Sequence, residues 1–65
     1  MSIVWINGEE RDVEALKIVQ LTERLGMSPA TLVEYNGKAL YHSEWPTTHI
    51  RSGDRIELLQ ITAGG

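Results

Sequence analysis

Two Asn-Gly dipeptides, Asn7-Gly8 and Asn36-Gly37, each sit between short strand-forming runs, and they constrain the fold of this 65-residue chain more than any other feature. Asparagine and glycine tolerate the positive φ angles of a two-residue type I′ turn, so each pair predicts a tight antiparallel hairpin. In the first, Met1 to Ile6, β-branched and aromatic, leads into the turn and Glu9 to Val13 returns. In the second, Thr31 to Tyr35 pairs with Lys38 to Tyr41.

The segment between the hairpins has a different period. Ile18, Leu21 and Leu25 recur at helical spacing while Gln20, Glu23 and Arg24 take the other side. Gly26 is placed to end this helix as its C′ residue, and Pro29 opposes any continuation. After the second hairpin, Ser43-Glu44-Trp45-Pro46 predicts a single turn capped by the serine and ended by the proline, with Trp45 against the core. Ser52-Gly53-Asp54 is the last reverse turn, and Arg55 to Thr62 reads as the final strand. The first and last strands are the most continuously apolar, as central neighbours are, whereas the second and fourth are more polar, as edges are. The expected fold is α+β, a β-grasp: a mixed five-stranded sheet of order 2-1-5-3-4 with one main helix packed on one face.

One short helix covers only one face, yet the first and last strands carry apolar residues in both phases. Ile56 and Leu58 form one phase of the last strand and Leu59 and Ile61 the other, which Glu57 marks as the wetter. In the first strand, Val4 and Ile6 are assigned to the helix side, Ile3 and Trp5 to the outside. The expectation is an exposed apolar patch beside the C-terminus, with Trp5, Leu59 and Ile61 as its candidate residues.

Size and composition narrow the functions. A domain this small buries only about 60% of its unfolded surface, so an enclosed active site would consume the side chains that hold it together. No cysteine is present, which removes disulfides, thiolate metal sites and a thiol nucleophile together. Nine acidic residues against six basic ones, a net charge of −3, disfavour nucleic acid and anionic membranes and suit a basic protein surface. The longest apolar runs, Ile3-Val4-Trp5-Ile6 and Leu58-Leu59, are too short to span a bilayer and the N-terminus has no signal-peptide pattern, so the expected location is cytoplasmic. His42 and His49 flank Glu44 without predicted regular structure to fix a metal geometry, and no metal is expected. The acidic run Glu9, Glu10, Asp12 and Glu14 reads as a solvated edge that a basic groove on a partner would complement, and Lys17 and Lys38 as ordinary exposed lysines.

The chain ends Thr62-Ala63-Gly64-Gly65, small residues with little to pack. Residues 1–61 are therefore expected to form the domain and 62–65 a flexible tail. With this tail in place, the whole chain resembles the ThiS family, ubiquitin-like sulfur carriers of thiazole (thiamin) biosynthesis, and more distantly the MoaD-type small subunit of molybdopterin synthase. The resemblance rests on Ile6-Asn7-Gly8-Glu9, Leu25-Gly26-Met27, Val33-Glu34-Tyr35-Asn36-Gly37, Glu44-Trp45, Gly53-Asp54-Arg55-Ile56-Glu57 and Gly64-Gly65, in that order and spacing. It departs from the family pattern at Glu14-Ala15-Leu16-Lys17 and at Thr62.

The resemblance implies a protein co-substrate, not an enzyme, working through the α-carboxylate of Gly65. A carboxylate is a poor electrophile. In the family a ThiF-like adenylating enzyme uses ATP to make an acyl-adenylate, which a persulfide from a cysteine-based sulfur donor attacks. The product is a thiocarboxylate that delivers sulfur to a ThiG-like thiazole synthase. No cofactor would be bound by the carrier itself. Gly64 and Gly65, lacking Cβ atoms, suit a tail that threads a narrow channel. The alternatives are a MoaD-like carrier for molybdopterin or one serving a sulfur amino acid, a ubiquitin-like modifier, and a non-covalent β-grasp module. MoaD-like chains tend to be longer with a Pro-rich approach to their glycines, so length favours the thiazole type.

Overall fold

A computed structural model describes residues 1–60 of the chain. Ile61, Gly64, Gly65 and the expected 62–65 tail lie outside the described residues. Strand β1 (Ser2–Ile6) turns through Asn7 at φ 50° and Gly8 at φ 81° into β2 (Glu9–Val13), in antiparallel register from Ser2 opposite Val13 to Ile6 opposite Glu9. Helix α1 (Ile18–Arg24) follows. The second hairpin joins β3 (Leu32–Tyr35) to β4 (Lys38–Leu40) through Asn36 at φ 51° and Gly37 at φ 85°. A 3-10 helix (His42–Thr47) then leads to β5 (Arg55–Leu59). The sheet order is β2-β1-β5-β3-β4, with β1 and β5 parallel and the other pairs antiparallel, which is the expected mixed β-grasp sheet.

The helix is short, and its two ends are fastened by specific bonds. At its start the Gln20 side-chain oxygen accepts from the Lys17 N–H at 3.0 Å, a donor that the helix start would otherwise leave unpaired, and from the Leu16 N–H just before it at 2.8 Å. The unusual approach Glu14-Ala15-Leu16-Lys17 is also stitched to the 48–50 segment, where Ile18 N–H donates to the Thr48 carbonyl and Ile50 N–H to the Leu16 carbonyl. At its end Gly26, at φ 69°, donates to the Glu23 carbonyl and Met27 to that of Thr22, the paired bonds of a Schellman motif.

The core lies between α1 and one face of the sheet. Val4, Ile6, Ile18, Leu21, Val33, Ile56 and Leu58 are buried there, joined by Trp45, Ala15 and Ile50. The strand phases match the sequence assignment: Val4, Ile6, Ile56 and Leu58 point inward, Ile3, Trp5 and Leu59 outward. Trp45 is buried as expected and meets His42 edge-on, ring centroids 4.7 Å apart.

Two local expectations are corrected. Ser43 does not cap the turn before Trp45: Glu44 reaches back to accept from the Tyr41 N–H at 2.9 Å, so capping comes from inside the helix, and Pro46 lies within it rather than ending it. Pro46 is the fifth of the six helical residues, and its ring costs this short helix only the one i→i−3 bond that its missing N–H would have made near the end. The last strand ends at Leu59, with Gln60, expected inside it, already outside. Its neighbours explain the stop: β3 begins at Leu32, the partner of Leu59, and β1 has turned away at Asn7.

Candidate functional site at the open face and the end of strand five

Direct cross-strand partners point to the same side of a sheet, so the registers define the face opposite the helix. It carries Glu10 and Asp12 from β2, Ile3 and Trp5 from β1, Arg55, Glu57 and Leu59 from β5, Leu32 and Glu34 from β3, and Ala39 from β4. No element of the described residues covers this face. Its apolar residues fall into two islands.

The first island lies where β5 ends. Leu59, 61% exposed, is directly opposite Leu32, 54% exposed, and together with Ala39 and Tyr41 they line an open groove. The second comprises Ile3 and Trp5, 39% exposed, over β1. Trp5 is level with Arg55, four residues before Leu59, which at strand spacing separates them by roughly 13 Å. The structure therefore places Trp5 and Leu59 on one face without bringing them together, and Leu32 and Tyr41 stand where the sequence reading had put Trp5. That pairing depends on the β3–β5 register, which no local signal reveals, although Leu32 and Leu59 are visible as single apolar residues.

The charges of this face are unevenly arranged. Glu10, Asp12, Glu34 and Glu57 share it with one strand cation, Arg55, and Glu34 is directly opposite Glu57. Like charges in direct cross-strand register oppose folding, so a cation supplied from outside would relieve the pair. Glu9, on the other side of β2, makes an exposed ion pair with Arg11 at 3.3 Å, which adds little to stability. His42 and His49 stay apart in role: His42 meets Trp45 edge-on, and the His49 backbone carbonyl lies 2.8 Å from the Tyr35 hydroxyl oxygen. Among the described residues no group of three His, Cys, Asp or Glu is placed to hold a metal ion, and no helix is long and apolar enough to cross a membrane.

The end of β5 is held by a residue that the sequence reading assigned only to a turn. The Asn7 side-chain oxygen accepts from the Leu58 N–H at 2.7 Å, and its amide nitrogen donates to the Leu58 carbonyl at 3.2 Å. At the other end of the strand Asn36 does the same work, accepting from the Arg55 N–H at 2.8 Å. Asn36 also donates to Asp54, whose carboxylate accepts from the Tyr35 hydroxyl at 2.5 Å and from the Arg51 N–H at 2.7 Å. Burial, the bond to Asp54 and the negative charge of that carboxylate push the Tyr35 pKa up to about 12.

The sequence profile of the ThiS family matches residues 4–65, nearly the whole chain. This chain belongs to the ThiS family. A curated relative, the sulfur carrier protein ThiS of Thermus thermophilus, is 31% identical over 64 residues, covering 97% of this chain and 100% of that protein. The crystal structure of a ThiS thiamine biosynthesis protein from Geobacter metallireducens superposes with a TM-score of 0.79 at 28% identity, covering 97% of this chain and 99% of that one. A solution structure of a thiamine biosynthesis protein from the same organism gives 0.81 at 26% identity, covering 97% and 87%. The β-grasp sheet, its order and its single helix are thus those of ThiS-family sulfur carriers.

Proposed function

We propose that this ThiS-family chain carries sulfur for thiazole formation in thiamin biosynthesis on the carboxylate of Gly65. What carries the reading is that the family match runs through Gly65, while β5 delivers the chain from the sheet at Leu59, inside an exposed apolar island. The body offers a docking surface and the chemistry happens on partners. A ThiF-like enzyme joins the carboxylate to the α-phosphorus of ATP, releasing pyrophosphate. The terminal sulfur of a cysteine persulfide then attacks the acyl carbon and expels AMP, forming an acyl disulfide. A second thiol attacks the cysteine sulfur, forming a disulfide with it and releasing the thiocarboxylate that a ThiG-like thiazole synthase consumes.

The Leu59–Leu32 island with Tyr41 has the composition of an interface centre, apolar and aromatic, and the surrounding carboxylates form a polar rim suited to a basic partner. The test is ATP–pyrophosphate exchange with the adenylating enzyme of the same genome, followed by intact-mass analysis after incubation with a persulfide donor. The full chain is expected to support exchange and to gain a species with one oxygen replaced by sulfur. A chain lacking Gly65 should melt at the same temperature and support neither. Exchange by the truncated chain would show that Gly65 is not the reactive residue.

A further inference from the structure

We infer that Asn7 is a positioning residue for the reaction at the C-terminal carboxylate: its side chain extends strand β1 by one peptide group and so fixes the place and direction in which β5 ends at Leu59. The inference rests on the carrier reading above. In the parallel ladder Trp5 N–H donates to the Asp54 carbonyl and Asn7 N–H to that of Ile56. The next step would require a further residue of β1 to engage Leu58, but the backbone has left the ladder at Asn7, where φ is 50°. The Asn7 carboxamide takes the place of the missing peptide. It presents one acceptor and one donor to the Leu58 N–H and carbonyl, at 2.7 and 3.2 Å. Both backbone groups of Leu58 are therefore taken by Asn7, one residue before the strand ends, while Leu58 stands level with Val33 of β3.

This requirement explains why asparagine stands here. Glycine or aspartate would also serve the turn, yet glycine has no side chain and an ionised aspartate has no donor for the Leu58 carbonyl. Asn36 provides a matched control within the same molecule. It has the same turn and nearly the same φ of 51°, and it clamps the same strand, but at Arg55, the end remote from the tail. Asn36 puts one bond on Arg55 and one on Asp54, so its loss weakens the fold without touching the Leu58 end of the strand.

The experiment compares wild type, Asn7→Gly, Asn7→Asp and Asn36→Gly as full-length chains. Glycine keeps the positive φ available, so the variants retain their turns. The readouts are amide hydrogen exchange at Leu58 and Arg55, and single-turnover adenylation across a range of adenylating-enzyme concentrations. Asn7→Gly is expected to speed exchange at Leu58 about tenfold and to lower the saturating adenylation rate by about the same factor, with little change in the half-saturating enzyme concentration. Asn7→Asp should lie between it and wild type. Asn36→Gly should accelerate exchange at Arg55 and leave the saturating rate near wild type. Equal rate losses in Asn7→Gly and Asn36→Gly would overturn the positioning role, as would an unchanged rate in Asn7→Gly despite faster Leu58 exchange. A wild-type chain that is not adenylated would overturn the carrier reading and the positioning role with it; wild-type adenylation with unaltered variants overturns the positioning role alone.

Discussion

Leu59 is large, apolar and mostly in water in a domain with few apolar residues to spare, and its removal should leave the fold intact. Leu59→Asp is expected to shift the melting temperature by no more than a few degrees while weakening association with the adenylating enzyme tenfold or more, because a charge at an interface centre is desolvated without a partner. Circular dichroism melting and a binding titration check the two halves. Tyr35 behaves oppositely, since its phenol is tied into the fold through Asp54. Tyr35→Phe leaves that carboxylate short of a donor, a loss of about 1–3 kcal/mol. On a domain this size each kcal/mol lowers the melting temperature by about 4–8 °C. The folded state holds the phenol proton more tightly than the unfolded chain does, with a pKa of about 12 against the ordinary 10.0. Its stabilisation is therefore complete below pH 10 and is lost as pH rises from there through 12. The gap in melting temperature between wild type and Tyr35→Phe should narrow over that interval, and a gap independent of pH would show that burial and the Asp54 bond do not raise the proton affinity of the phenol.

At the level of elements, what local chemistry controls was legible in the sequence and what register controls was not. The Asn-Gly turns, the helix period and Gly26 act within a few residues, so both hairpins, the helix and its end appear where the residues place them. The inward and outward phases of β1 and β5 were also legible, because one helix can bury only one phase. The 3-10 helix was located but its cap was misassigned, since Ser43 is the commoner capping residue and the bond Glu44 makes back to Tyr41 depends on the turn already being formed. The Asn7 and Asn36 clamps and the Leu32–Leu59 contact join residues distant in sequence, and no spacing rule announces them. The Schellman end of α1 allows a clean test of the local kind. A Cβ at Gly26 meets no atom within 4 Å, so Gly26→Ala adds only the strain of a positive φ, here 69°. That strain, about 1 kcal/mol, should lower the melting temperature by about 4–8 °C. A thermal melt of the variant would detect it, and a change below 1 °C would mean that the helix end relaxes to a conformation alanine accepts.

Across the whole molecule the net charge of −3 is not spread evenly. Four carboxylates lie on the open face with Arg55, and two of them, Glu34 and Glu57, are in direct register at its centre. In the isolated domain this arrangement opposes folding, because neither carboxylate has a cation in its cross-strand position and both are held by the same backbone ladder. It becomes favourable when a basic surface arrives, since the field of the face attracts that surface before contact and the incoming cation relieves the central repulsion on docking. Stability and association should then respond in opposite directions to one substitution. Glu57→Gln removes the like-charge pair and is expected to raise the melting temperature by about 2–5 °C. The same change should slow association with the adenylating enzyme several-fold at low ionic strength. The difference should fade as salt rises from about 0.01 M to 0.15 M, over which the screening length falls from about 30 Å to about 8 Å. Stopped-flow association at those two ionic strengths, alongside thermal melts of both proteins, makes the measurement. A variant that is stabilised and associates as fast as wild type at low salt would show that the open face does not meet a basic partner. A variant that is destabilised would show that the Glu34–Glu57 pair is already compensated within the domain, with Arg55, two residues before Glu57 on the same face, placed to supply that compensation.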